Sequence, residues 1–251
     1  MRFNRWIRKP VFLFQILSLV VAVSGISISF GTSAIAESTP NKDIIKKYSF
    51  PQGFVYLNDM IPSAHYDIRY YGENNFVGTR IDGYKAPLAI MTRKAAIALK
   101  AVSDNLESKG YSLKIQDAYR PQQAVNHFVR WSLDTKDVKM KTQYYPKMDK
   151  RNLFKLGFIA KKSGHSRGST IDLTLVNIKT GTEVDMGSPY DFFGDISYYD
   201  TNLITKQQKA NRKLLKDAMV KQGFKPYTKE WWHFTLIKEP YPNRYFNFNV
   251  E

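Results

Sequence analysis

Apolar residues recur along this chain at two different spacings. In TRKAAIALKAVSDNLESKG, Ala95, Leu99, Val102 and Leu106 fall three or four apart, which predicts a helix with one buried face. Thr92 is placed to cap its start and Gly110 to end it. KQQKANRKLLKDAMVKQGF predicts a second helix, with Thr205 as its cap and Gly223 just past its end. QQAVNHFVRWS predicts a third, opened by Pro121, whose missing amide proton costs nothing in a first turn.

The other spacing is two. YSLKIQDAY, TIDLTLVNI and WWHFTLI alternate in the manner of strands, and FVYLNDMIPSAHYDIRYY gives shorter extended pieces. GENNFVGTRIDGY and MGSPYDFFGDISYYD read as turns and loops, and residues 132–162 as a lysine-rich irregular stretch. There is no internal repeat or long Pro/Gly linker. The pattern predicts one α+β domain over 37–251, its central, mostly antiparallel sheet flanked by helices.

The N-terminus has a different character. MRFNRWIRKP carries four positive side chains and no negative one, a long apolar run follows, and Ala34 and Ala36 have the spacing of a small-residue cleavage site. This three-part pattern predicts a secretory signal peptide over 1–36 and an exported product, bacterial periplasmic or secreted. A retained anchor is the competing reading, since the run is long enough to span a bilayer. Cleavage leaves no stable membrane anchor.

The charge is +16, and removal of the leader's four positive side chains leaves +12. The lysines are scattered among acids and no nucleic-acid-binding motif is present, so a nucleic-acid partner is not expected. A basic exported protein suits anionic envelope surfaces. The chain has no cysteine, so disulfides are excluded and any metal must be held by oxygen and nitrogen.

Two segments carry such donors. In SGHSRGSTID, residues 163–172, the glycines and hydroxyl residues argue against a helix spanning His165 and Asp172 and favour a turn feeding a strand. Asp172 then shares a strand face with Thr170 and Thr174, while Ile171, Leu173 and Leu175 face the core. A carboxylate there is costly unless it is paired or metal-bound. In EWWH, residues 230–233, His233 shares its face with Thr235. His165, Asp172 and His233 predict a three-ligand zinc site with a fourth position left for water; an ordinary His–Asp hydrogen bond is the competing reading. Glu230 and His233 would point to opposite faces of a regular strand, so Glu230 is expected in the preceding turn, within reach of a water at the metal. Arg120, where DAYRP leaves a strand, is placed either to act on substrate or to pair with Asp117. His65 and His127 lack ligand spacing and read as structural.

SGHSRGSTID, EWWH and DAYRP together resemble the D-alanyl-D-alanine dipeptidases of the vancomycin-resistance type, within the zinc D,D-peptidases. NNFVG, YYP, MGSPYDFF and EWWHFTLIKEPYPNRYF extend the likeness over about 50 to 251. The resemblance implies one Zn2+ per chain on His165, Asp172 and His233, with Glu230 as general base and then acid. It implies that Arg120 stabilises the tetrahedral intermediate, that Ser163 positions substrate and that Asp191 meets the substrate ammonium. The implied substrate is a small dipeptide, free D-alanyl-D-alanine. The chain departs from the pattern at Thr170, where the family carries a small alanine; this places a hydroxyl near the metal.

Two other readings compete. An exported zinc D,D-carboxypeptidase or endopeptidase would act on peptidoglycan peptides, and a non-catalytic wall-peptide binding module would keep the ligands without the base. The sequence leaves the oligomeric state open.

Overall fold

The computed structural model describes residues 50–251, all within one unit spanning Lys42–Glu251. The signal peptide expected over 1–36 lies outside the described residues. The described residues contain seven strands: β1 (Phe54–Tyr56), β2 (His65–Tyr66), β3 (Ile90–Thr92), β4 (Tyr111–Asp117), β5 (Thr170–Asn177), β6 (Phe224–Tyr227) and β7 (Glu230–Leu236). The three long helices among the described residues are α1 (Arg93–Glu107), α2 (Gln122–Leu133) and α3 (Lys206–Lys221). β1 and β3 form a small antiparallel ribbon. The main sheet has the order β2-β4-β5-β7-β6; only the β2–β4 pair is parallel. The expected α+β class and mostly antiparallel sheet are therefore present.

The helices form where the apolar stripes lie. Ala95, Leu99, Val102 and Leu106 of α1 are wholly buried, and α1 packs on β4 and on α3, which itself lies against β6. Thr92 precedes α1 but does not cap it; its hydroxyl meets Ser169 Oγ at 2.8 Å. α1 also ends before Gly110, with Ser108 as its last half-turn residue. Thr205 does cap α3, in a reciprocal box with Gln208. The irregular 132–162 stretch contains two single helical turns, Lys141–Tyr144 and Leu153–Leu156.

β5 is buried along nearly its whole length because β4 and β7 flank it and both faces are covered. Ile171, Leu173 and Leu175 are fully buried on one face, and Asp172 lies on the other. Two irregularities then decide what stands beside Asp172. On β4 the register slips by one residue between Ile115 and Asp117. A regular strand would set Asp117 opposite Ile171. The extra residue, Gln116, moves Asp117 opposite Asp172 and onto its face. On β7, Pro226 pairs with Phe234 but Tyr227 pairs with Glu230, so Trp231, Trp232 and His233 have no opposite residues in β6. His233 pairs instead with Asp172 across β5. Asp117, Asp172 and His233 thus form a row across three adjacent strands.

Candidate active site

His165 comes to this row from the short 3-10 turn Gly164–Arg167. Ser163 caps that turn by accepting from the His165 amide at 3.2 Å. Gly168 closes it at φ +79, where a Cβ would lie 2.3 Å from the Phe54 ring, so glycine is required. The His165 Nδ1 donates to the Ala118 carbonyl at 2.6 Å, which leaves the Nε2 lone pair facing the row.

Three donors converge there. His165 Nε2 lies 3.2 Å from Asp172 Oδ2, His233 Nδ1 lies 3.0 Å from Asp172 Oδ1, and the two imidazole nitrogens are 3.3 Å apart. All three ligand atoms fall within 4.8 Å of one another. Asp172 Oδ1 is buried and, although close to His233, makes no hydrogen bond of acceptable geometry. A buried acceptor without a partner is costly, and a cation held among the three donors would satisfy it. Two imidazoles and a carboxylate suit one zinc ion, which commonly takes three protein ligands and leaves its fourth position open.

The charges around this point are coupled. Burial alone would raise the Asp172 carboxyl, but His165 and His233 hold it far below the usual carboxylate range. Burial lowers the His165 imidazole. It would lower His233 too, but the negative charge of Asp172 raises it above the ordinary histidine value.

Glu230 is the first residue of β7 rather than part of the preceding turn. The interruption in β6–β7 pairing removes the expected two-sided alternation, and Glu230 Oε2 stands 3.4 Å from His233 Nδ1. Burial drives its carboxyl up to about 7, against the pull of His233 and with the repulsion of Asp172. The two tryptophans between them are buried. Trp231 donates to Ser188 Oγ at 2.9 Å, and Trp232 packs edge-on against Tyr190. Tyr190 in turn donates to Asp172 Oδ2 at 3.2 Å.

Arg120 pairs with Asp117, one of the two roles the sequence offered. Its Nε donates to Asp117 Oδ2 at 2.9 Å, its Nη2 lies 2.8 Å from the same oxygen, and Nη2 donates to Asp172 Oδ2 at 3.4 Å. Its guanidinium lies over the rings of Tyr70 and Phe128, 5.0 and 5.2 Å from their centroids.

All seven residues singled out in the sequence line one pocket of ≈ 240 Å³: Arg120, Ser163, His165, Asp172, Asp191, Glu230 and His233. Asp191 is buried at φ +59, accepts from the Tyr70 hydroxyl at 2.9 Å, and is driven well above the usual carboxylate range by burial and then by Asp172. Thr170 is not on this pocket's wall. Its hydroxyl pairs with Thr235 Oγ1 at 2.9 Å, so the expected hydroxyl near the metal is turned to a neighbour strand. His127 sits 3.2 Å from Asp82 on the surface, and His65 lies in β2 at the sheet edge, both away from the metal group.

Tyr70, Phe128 and Phe158 also line the pocket, and the sequence reading did not single them out. They sit in a 3-10 turn, a helix and a loop, and no local spacing marks them apart from the many core aromatics.

A mixed sheet carrying a His-Asp-His donor set, with a buried carboxylate and an arginine at its side, defines a zinc metallopeptidase. The sequence profile of the D-ala-D-ala dipeptidase family matches residues 51–251, and the chain belongs to that family. It is 41% identical to the D-alanyl-D-alanine dipeptidase of Enterococcus faecalis over 198 residues, 79% of this chain and 98% of that protein. It is 39% identical to the enzyme of the same name from Enterococcus faecium over 199 residues, with the same shares covered. The Streptomyces coelicolor D-alanyl-D-alanine dipeptidase is 37% identical over 197 residues, 78% of this chain and 98% of that protein.

Proposed function

We propose that the protein is an exported zinc dipeptidase that hydrolyses the peptide bond of free D-alanyl-D-alanine. The convergence of all seven residues on one small pocket carries this reading. At ≈ 240 Å³ the pocket is below the roughly 300–1,000 Å³ typical of sites for drug-sized ligands, which suits a dipeptide better than a wall pentapeptide.

His165, Asp172 and His233 hold the metal. When bound, zinc supplies Lewis-acid polarisation of the scissile carbonyl and makes a water nucleophilic near neutral pH. Glu230 takes the proton of the attacking water and returns it to the departing amine. Arg120 donates to the carbonyl oxygen as negative charge develops there, its fork held in place by Asp117. Asp191 serves the amino end of the substrate, and Ser163 helps position it. A free ammonium would meet Asp191 in a buried setting, so a blocked amino group would leave that site without its partner.

The domain extends from 37 to 251, and 1–36 is a cleaved export signal. Among the described residues no helix is long and apolar enough to cross a membrane. N-terminal sequencing of the protein from its host is expected to begin at Glu37; an intact Met1 contradicts export by cleavage.

A substrate panel tests the reaction. D-alanyl-D-alanine should be hydrolysed well, and its L,L isomer, its acetylated form and a wall pentapeptide poorly. Faster cleavage of the pentapeptide than of the free dipeptide would replace this reading with that of a wall D,D-carboxypeptidase.

A further inference from the structure

Asp117 has two oxygens, and they do different things. Oδ2 accepts from the Arg120 Nε at 2.9 Å and has the guanidinium Nη2 beside it at 2.8 Å. Oδ1 accepts from the Tyr84 hydroxyl at 2.5 Å. The carboxylate is fully buried and Tyr84 is 1% exposed. With Oδ1 occupied, the carboxylate cannot turn about its own axis without breaking a short bond, so Oδ2 stays aimed at the guanidinium.

Both ends of this bond are fixed by backbone. Asp117 is set by the β4 bulge. Tyr84 forms a parallel bridge with Val250, whose amide donates to the Gly83 carbonyl at 2.8 Å and whose carbonyl accepts from Lys85 and Ala86 at 2.8 and 2.9 Å. The C-terminal tail therefore clamps the segment that presents the tyrosine. Tyr84 itself is not among the residues lining the pocket.

We propose that Tyr84 is a positioning residue: it locks Asp117 so that the Arg120 fork is presented to the pocket in one orientation. Its path to the metal is weak. His165 Nδ1 is held by the Ala118 carbonyl at 2.6 Å and lies 3.4 Å from Asp117, so Tyr84 acts on arginine and not on zinc. The inference rests on the reading of Arg120 as the donor to the reacting carbonyl.

A double-mutant cycle tests it. Tyr84→Phe should retain zinc, keep KM and lower kcat about 10- to 100-fold, the scale of a misplaced catalytic group. In an Arg120→Ala background the same change should do nothing further, because its effect passes through the arginine. A second readout needs no turnover. In the zinc-free protein, the Arg120 Nε–H, observed by nitrogen-15 NMR, should exchange with solvent faster in Tyr84→Phe.

Equal losses in both backgrounds, or unchanged kcat with unchanged Nε–H exchange, overturns the proposal. A slow Arg120→Ala with a normal Tyr84→Phe removes only the role of Tyr84. A fully active Arg120→Ala removes the reading of the arginine and this inference with it. If Tyr84→Phe does not fold, Asp117→Asn enters the same cycle. It should lose kcat alone and add nothing in the Arg120→Ala background, and additive losses overturn the proposal.

Discussion

Asp117 and Asp172 stand directly opposite one another on adjacent strands, both buried, with the Arg120 Nη2 2.8 Å from one and 3.4 Å from the other. Opposed residues of neighbouring strands have Cβ atoms only about 4.5–5.5 Å apart. Two buried acids at that spacing repel unless a cation lies between them. Burial raises the Asp117 carboxyl, Arg120 counters it, and the charge of Asp172 adds to it. Arg120 therefore serves the fold as well as the role in turnover proposed for it.

Arg120→Ala should accordingly do two things. It should slow turnover by ~10²–10³-fold, the usual loss for one donor to a developing oxyanion. It should also destabilise the protein by about 3–5 kcal/mol, as breaking a buried ion pair does. Lysine should restore part of each, since it keeps the charge but lacks the planar fork. Steady-state kinetics and urea unfolding of the two variants, both zinc-loaded, check this.

Removing a metal donor should be read in zinc content. His233→Ala and Asp172→Ala should each lose most of the metal from a protein that otherwise carries one zinc per chain. Asp172 should matter as much as the histidine, because its charge partly balances the ion. Metal analysis after dialysis gives the ratio; full zinc in either variant contradicts the ligand set.

Zinc affinity should fall with pH in a defined direction. In the metal-free protein the charge of Asp172 raises the His233 imidazole above the ordinary value of about 6.5. Zinc needs the lone pair, so binding there expels a proton. The affinity should be constant above that raised value and weaken about ten-fold for each pH unit below it. Competition with a chromophoric chelator across the range measures it. An affinity that holds steady from about pH 8 to about pH 6 goes against the assignment of His233.

Much of this was legible in the sequence because it depends on local pattern. The α1 stripe, the Thr205 cap and the alternation of β5 each follow from spacing that a few residues carry. The metal donors were legible because an acid inside an apolar strand needs a reason. Long-range register was not legible. Asp117 reached the face of Asp172 only because Gln116 is an extra residue in β4, and nothing in YSLKIQDAY marks that bulge. Glu230 was expected in a turn, since regular alternation would send it away from His233. The gap in β6–β7 pairing lets both sit in one strand and still meet. Thr170 was expected beside the metal, but Thr235, 65 residues later, takes its hydroxyl.

The Thr205 cap offers a control away from the chemistry. Thr205→Ala should cost about 0.5–2 kcal/mol, as loss of a helix cap does, and leave kcat and KM unchanged. Urea unfolding and kinetics on one preparation suffice.

In the proposed mechanism Glu230 moves the proton while His165, Asp172 and His233 hold the metal. Glu230→Gln preserves size and removes the base. It should keep one zinc per chain and lose turnover of D-alanyl-D-alanine by at least the ~10²–10⁴-fold that general acid–base help supplies. The measurement is kcat on zinc-verified protein. Near-normal turnover in the zinc-loaded variant would contradict the mechanism, whatever the other variants show.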